Sequence, residues 1–269
     1  MDRDLLTQGI ERSRAFWDAG TAVTKAWIKK QHVIEQAELK KQRVSLQQKR
    51  GVFQARLRKK KSGWLKALSW SDFVAELNRF PEELSERLTQ LDVTHELLKS
   101  KNNRFSDLDW EAKDAIAGLS RTHSLAPDVD WSNFGNMARR PAEFKKVLRK
   151  ARWLKAVDQM SSLQVNGDQA TENWIRQVAV PWVGLPRASR LLAMFRPAEY
   201  APVTNRSRIL PKALGQPELR PSLNNYLVQV IGPLRTSDWY RQPLDLGWSS
   251  EEQAIWRYRM ALVDMLVCA

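Results

Sequence analysis

The stretch Val180–Ser189, Val-Pro-Trp-Val-Gly-Leu-Pro-Arg-Ala-Ser, holds the residues of this chain best placed for chemistry. Apolar residues flank it at helical spacing: Trp174, Ile175 and Val178 before, Ala188, Leu191, Leu192 and Phe195 after. Trp182-Val183-Gly184 must therefore turn the chain, with Pro181 ending one helix and Pro186 opening the next. A glycine there lets the backbone bend sharply and aim N–H groups outward at a helix start, where the helix dipole also attracts phosphate. Gly184 and its neighbouring amides are thus candidate phosphate ligands, reinforced by Arg187, Arg190, Arg206 and Arg208. Trp182, at the turn, could stack on a base, wedge beside a sugar, dock on a partner protein, or fold back onto Trp174 or the C-terminal helix.

Other chemistry has little footing. His32, His95 and His123 are scattered without metal-ligand spacing, so no metal or other cofactor is expected. The chain has no Walker-type loop, no Gly-x-Ser-x-Gly elbow and no paired cysteines. Its single cysteine, Cys268, forms no internal disulfide, which fits a reducing, cytoplasmic setting. The charged start Met-Asp-Arg-Asp resembles no secretory leader. Asp107, Asp109, Glu111 and Asp114 crowd one segment beside Lys113. A nuclease would need such acids converged by a scaffold, and on one helix they read as a solvated face with favourable N-terminal charges.

The Val180–Ser189 stretch resembles the helix-hairpin-helix motif of the base-excision DNA glycosylase superfamily, whose pattern is Leu-Pro-Gly-hydrophobic-Gly followed by a small residue. Val180, Pro181, Val183, Gly184 and Ala188 fit it, while Trp182 stands where the first glycine is usual. The continuation through Pro197, Tyr200, Pro202, Val203 and Asn205-Arg206 is similar to a looser pattern of glycosylase-like domains in bacterial proteins. The likeness covers about residues 170–215. It implies DNA as a partner, in a repair, recombination or phage-defence assembly. Active members carry an aspartate just after the second helix, and some a lysine in the hairpin. Here Ala201–Arg208 contains no carboxylate, and Arg187 stands nearest the lysine position. Thr204 and Asn205 do not ionise near neutral pH, so the resemblance implies binding without glycosylase catalysis, and no catalytic residue is assigned.

The elements around this stretch are helical by pattern, and an all-α fold is expected. Residues 22–60 form a polar, weakly amphipathic helix, with Val23, Trp27, Ile34, Val44 and Phe53 recurring only loosely. It ends in the cationic cluster Arg56, Arg58, Lys59, Lys60 and Lys61, before a break at Ser62-Gly63. Two short helices follow, the first capped by Asp72 or Ser71 and the second begun by Pro81 and running to about Leu91. A third, from Ser106, places Trp110, Ala115 and Leu119 on a common side. The helix from Pro141 carries the stripe Phe144, Val147, Leu148, Ala151 and Leu154, with Lys145, Arg149 and Arg152 on one flank. Pairing a buried stripe with a cationic flank suits a helix that tracks a phosphate backbone. Trp70, Trp110, Trp153, Trp174 and Trp256 read as core. The last helix begins with the capping box at Ser249-Ser250-Glu251-Glu252 and runs to about Val267, with Arg257 and Arg259 outside. The expected division is a basic arm at 1–62, a helical middle region at 63–165 and the hairpin-bearing region at 166–269.

Charge sharpens the reading. The chain carries a net +14, and the excess is concentrated. Residues 1–61 hold 16 Lys/Arg against 6 Asp/Glu, and residues 139–155 hold 8 against 1, while 62–138 hold 8 against 13. Two basic blocks around an acidic segment favour a polyanionic partner, most commonly nucleic acid. The function expected is a non-enzymatic, largely sequence-independent DNA-binding protein or subunit. Two alternatives stand beside it. One is an assembly subunit that meets protein partners through its N-terminal helix and never touches DNA; the other is a nucleic-acid enzyme with an unrecognised carboxylate site.

Overall fold

A computed structural model describes residues 59–131, 141–162, 168–204, 209–216 and 222–267, with positions 30, 44, 45, 48, 51–53, 55–57 and 134. Helices, turns and loops make up the described residues; there is no strand among them, only an isolated bridge between His123 and Ala126. No described helix is long and apolar enough to cross a membrane. The chain divides into two compact units, Met1–Arg56 and Leu57–Ala269. In the first, Val44, Ser45, Gln48, Gly51–Phe53, Ala55 and Arg56 are helical; the other residues of the expected 22–60 helix that fall in this unit lie outside the described residues, Lys30 apart.

In the second unit α1 (Trp70–Leu77) is capped by Ser69, whose hydroxyl accepts the Asp72 N–H at 3.1 Å. The cap is therefore Ser69 rather than Ser71 or Asp72. Starting there brings Trp70, Phe73 and Leu77 onto one buried face. Helix α2 (Pro81–Ser100) opens on its proline as expected but runs past Leu91, because Leu84, Leu88, Leu91 and Leu98 continue one apolar side. It packs against α7 (Gly184–Phe195) and α11 (Ser250–Tyr258). Thr94 donates to the Met194 sulfur at 3.7 Å, and the Tyr258 hydroxyl donates to Asp92.

Between these lie α3 (Trp110–Ile116), α4 (Pro141–Leu148), α5 (Ala151–Asp158) and α6 (Asp168–Val178). The single helix expected over 141–155 is in fact two, broken at Arg149-Lys150, with Lys150 extended (φ −81°, ψ 119°). The break changes which residues face inward. Phe144, Val147 and Leu148 are buried as expected, but beyond it Trp153 and Val157 take the inner positions and Ala151 is exposed. Trp153 packs edge-on against Phe144 at 5.9 Å, and its indole donates to the Val178 carbonyl at 3.0 Å. Burying a tryptophan with its N–H satisfied outweighs continuing a stripe that ends in alanine.

The C-terminal part comprises α8 (Leu210–Ala213), a π-helical turn at Tyr226–Ile231, α9 (Gly232–Arg235), α10 (Asp238–Arg241), α11 and α12 (Val263–Val267). Ser249 caps α11 through the Glu252 N–H as the sequence predicts, but turns at 259–262 separate α11 from α12. Arg259, expected outside, is buried with its guanidinium 4.3 Å over Trp256 and 4.6 Å over Tyr240. This region shares its core with the start of the unit. Trp239 stacks on Phe73 at 4.2 Å and donates to the Leu65 carbonyl at 2.9 Å. Gly63 (φ +78°) and Gly215 (φ +72°) meet backbone to backbone; a Cβ on Gly215 would lie 3.4 Å from the Gly63 Cα.

Candidate nucleic-acid interface

Helix α6 gives way to a turn at Pro181–Val183, from which α7 departs at Gly184, two residues before the proline expected to open it. Both Trp182 (φ +74°) and Gly184 (φ +62°) occupy the left-handed region. Glycine adopts it at no steric cost; tryptophan does not. The turn spends its own amides: Val183 and Gly184 N–H both donate to the Val180 carbonyl, at 2.9 and 3.2 Å. The expectation that these amides face a phosphate is corrected by that geometry. Arg187 likewise turns inward. It is 9% exposed, donates to the Trp182 carbonyl and lies 4.6 Å over the Phe144 ring of α4. Burial lowers its pKa, and Glu143 opposes the shift. Trp182 itself is 48% exposed, so about half of its surface faces solvent at the turn.

Arg190, one turn further along α7, is wholly buried. Its guanidinium donates to the carbonyls of Ile116 (2.7 Å), Ala115 (3.1 Å), Trp131 (2.9 Å) and Phe134. It thus closes the C-terminal end of α3, whose last carbonyls have no partner within the helix, and ties that end to Trp131 and Phe134. Burial first, then the nearby Arg87, push its pKa down to about 9, so it stays charged at neutral pH. Arg190 is a structural residue and offers nothing to a phosphate. Arg206 and Arg208 lie outside the described residues, as does Arg58. Lys59 and Lys61 are exposed, whereas Lys60 pairs with Glu76 at 2.9 Å and covers the Trp64 ring at 4.4 Å. Arg56 belongs to the other unit.

The remaining cations gather elsewhere. Lys146, Arg149, Lys150, Arg152 and Lys155 are exposed along α4, the 149–150 break and α5. Lys145 pairs with Asp114 of α3 at 2.9 Å. Beside them stands a residue that the sequence placed in the core: Trp110 is 50% exposed. The Lys113 ammonium sits 4.5 Å over its ring, and the Arg149 guanidinium 5.9 Å over it. Trp110, Asp114, Lys145, Leu148 and Arg149 line a cleft of about 30 Å³. Lys113 is itself buried, and desolvation lowers its pKa against the pull of Asp107, Asp109 and Asp158. The buried apolar residues of α3 are Ala112, Ala115 and Ile116. Trp110 lies about 140° round the helix from Ala115, so the missed signal was the spacing of the small apolar residues.

The acids of this segment are engaged locally. Asp109 accepts the Ala112 N–H at 2.7 Å as the α3 cap, Glu111 accepts from Ser124 at 2.7 and 3.0 Å, and Asp107 pairs with Arg104 at 3.3 Å. Among the described residues no three metal-ligating side chains form a group able to hold an ion. The expected catalytic gap after α7 reads differently by part: Ala201–Thr204 are buried, with the Val203 N–H donating to Ser189 at 3.0 Å, and Asn205–Arg208 lie outside the described residues. Compared with known proteins, the chain matches no family model, no curated protein and no solved structure.

Proposed function

We propose that this protein is a non-enzymatic, largely sequence-independent DNA-binding protein or subunit, and that it binds through the cationic ridge of α4 and α5. The observation that carries the reading is the exposed Trp110 ring held beneath Lys113 and Arg149, at the edge of five solvent-facing cations. Phosphates take the cations and release their counterions; the aromatic ring adds contact that depends little on base identity. The resemblance of Val180–Ser189 to helix-hairpin-helix proteins supports the same partner class. Its contribution here passes to the exposed Trp182 ring, since the turn's Val183 and Gly184 amides and Arg190 are committed inside the fold. Lys59 and Lys61 add sequence-independent attraction.

The test is fluorescence-anisotropy binding of a labelled duplex by the full-length protein at low salt. Reversing Arg149 and Arg152 to glutamate should weaken binding at least about tenfold and flatten its salt dependence. Failure of the full-length protein to bind any nucleic acid at low salt overturns the reading in favour of a protein-assembly role.

A further inference from the structure

We infer that the strand taken by this interface carries unpaired bases, one of which stacks on Trp110: the preferred ligand is single-stranded nucleic acid, or a junction with an unpaired stretch. The inference rests on the DNA-binding reading and deepens it.

Trp110 spends half of its surface in water although α3 has buried positions at Ala112, Ala115 and Ile116. Exposure of so large a ring has no folding benefit. The ring is nonetheless held in place. It occupies the first turn of a helix capped by Asp109, and the buried Lys113 ammonium lies 4.5 Å over it. Lys113 is packed in the fold and covers the ring, so the platform is built before any ligand arrives. Arg149 is different. It is exposed, lies at the looser distance of 5.9 Å, and follows the last turn of α4 at the break between the two helices. It can leave the ring and take a phosphate at little cost.

A base inside a duplex is already stacked on both sides and shows a protein only its edges. It cannot lie flat on a side chain. An unpaired base can, and every base has a π face, so such a platform reads no sequence. The flanking geometry fits a strand rather than a mononucleotide. The cleft beside Trp110, about 30 Å³, is too small to enclose a base. The cations continue away from it along the ridge through Lys146, Lys150 and Arg152. A stacked base with its phosphate near Arg149 would therefore have the neighbouring phosphates laid along α4 and α5.

The experiment measures affinity of the full-length protein for a labelled 20-nucleotide thymidine strand and for a mixed-sequence 20-base-pair duplex, at one salt concentration. The wild type should favour the strand. Trp110→Ala should weaken strand binding on the order of tenfold and duplex binding by clearly less, and Trp110→Phe should restore most of the loss. Circular dichroism checks that the variants are folded, and the wild-type comparison of strand with duplex needs no variant. Equal affinity for both ligands, or strand binding that Trp110→Ala does not move, overturns the inference and leaves DNA binding standing. Absence of binding to either ligand overturns both.

Discussion

Arg187 donates a hydrogen bond to the carbonyl of Trp182 and lies 4.6 Å over the Phe144 ring, so it braces the turn from within. An arginine that the sequence offers to phosphate is instead what holds an exposed tryptophan in a left-handed conformation. Arg187→Ala should remove a charge-assisted bond and its packing on Phe144, costing about 1.5–3 kcal/mol of stability. Urea unfolding reads the loss. An unchanged midpoint would mean that the bracing contact carries no weight.

Trp182 at φ +74° suggests a second substitution. Replacement by glycine removes the left-handed penalty of about 1–2 kcal/mol but adds about 0.5–1 kcal/mol of chain entropy. Trp182→Gly should therefore be as stable as the wild type or up to about 1.5 kcal/mol more so. Trp182→Val, β-branched, should melt lower. A clear loss of stability in the glycine variant would show that the Trp182 ring supports the fold.

Arg190 fills four carbonyls with one planar side chain. Arg190→Met keeps the length and withdraws all four donated hydrogen bonds, for a loss of at least about 3 kcal/mol. Lysine, with a point charge and no fork, should rescue only part. Hydrogen exchange should locate the damage at the end of α3, in the amides of residues 115–120. A variant as stable as the wild type would contradict the bracing role.

Alkaline titration tests the α2–α11 contact. Burial and the hydrogen bond to Asp92 raise the pKa of Tyr258 well above the ordinary tyrosine value. The stability this adds is fully present below about pH 10 and is lost as pH rises from there, because the unfolded chain sheds the proton first. The stability difference between wild type and Tyr258→Phe should shrink by about 1.4 kcal/mol per pH unit above pH 10. Urea unfolding of both proteins between pH 8 and pH 11 measures it, and a constant difference would exclude the contact as its source.

The sequence reads well where local rules decide the outcome. Pro81, the Ser249 capping box and the Phe144, Val147, Leu148 stripe all lie where spacing and caps place them. It reads poorly where tertiary burial overrides the local pattern. No glycine or proline marks the break at Arg149-Lys150; the pull of Trp153 into the core makes it. Arg190 looked like surface because arginine usually is. Yet α7 is apolar on nearly every side, and a helix buried all round must bury its arginines too. The exposed Trp110 was likewise masked by a residue-type habit, with the Ala112, Ala115, Ile116 spacing already pointing elsewhere.

The central claim is that phosphates lie along α4 and α5, and the salt dependence of binding tests it most directly. The slope of log affinity against log salt falls by about 0.9 for each phosphate contact made to a duplex. Replacing Lys146, Arg149, Lys150 and Arg152 together by glutamine should therefore reduce the steepness of that slope by about three to four relative to the wild type. A wild-type slope near zero, or one that these four substitutions leave unchanged, would contradict the account.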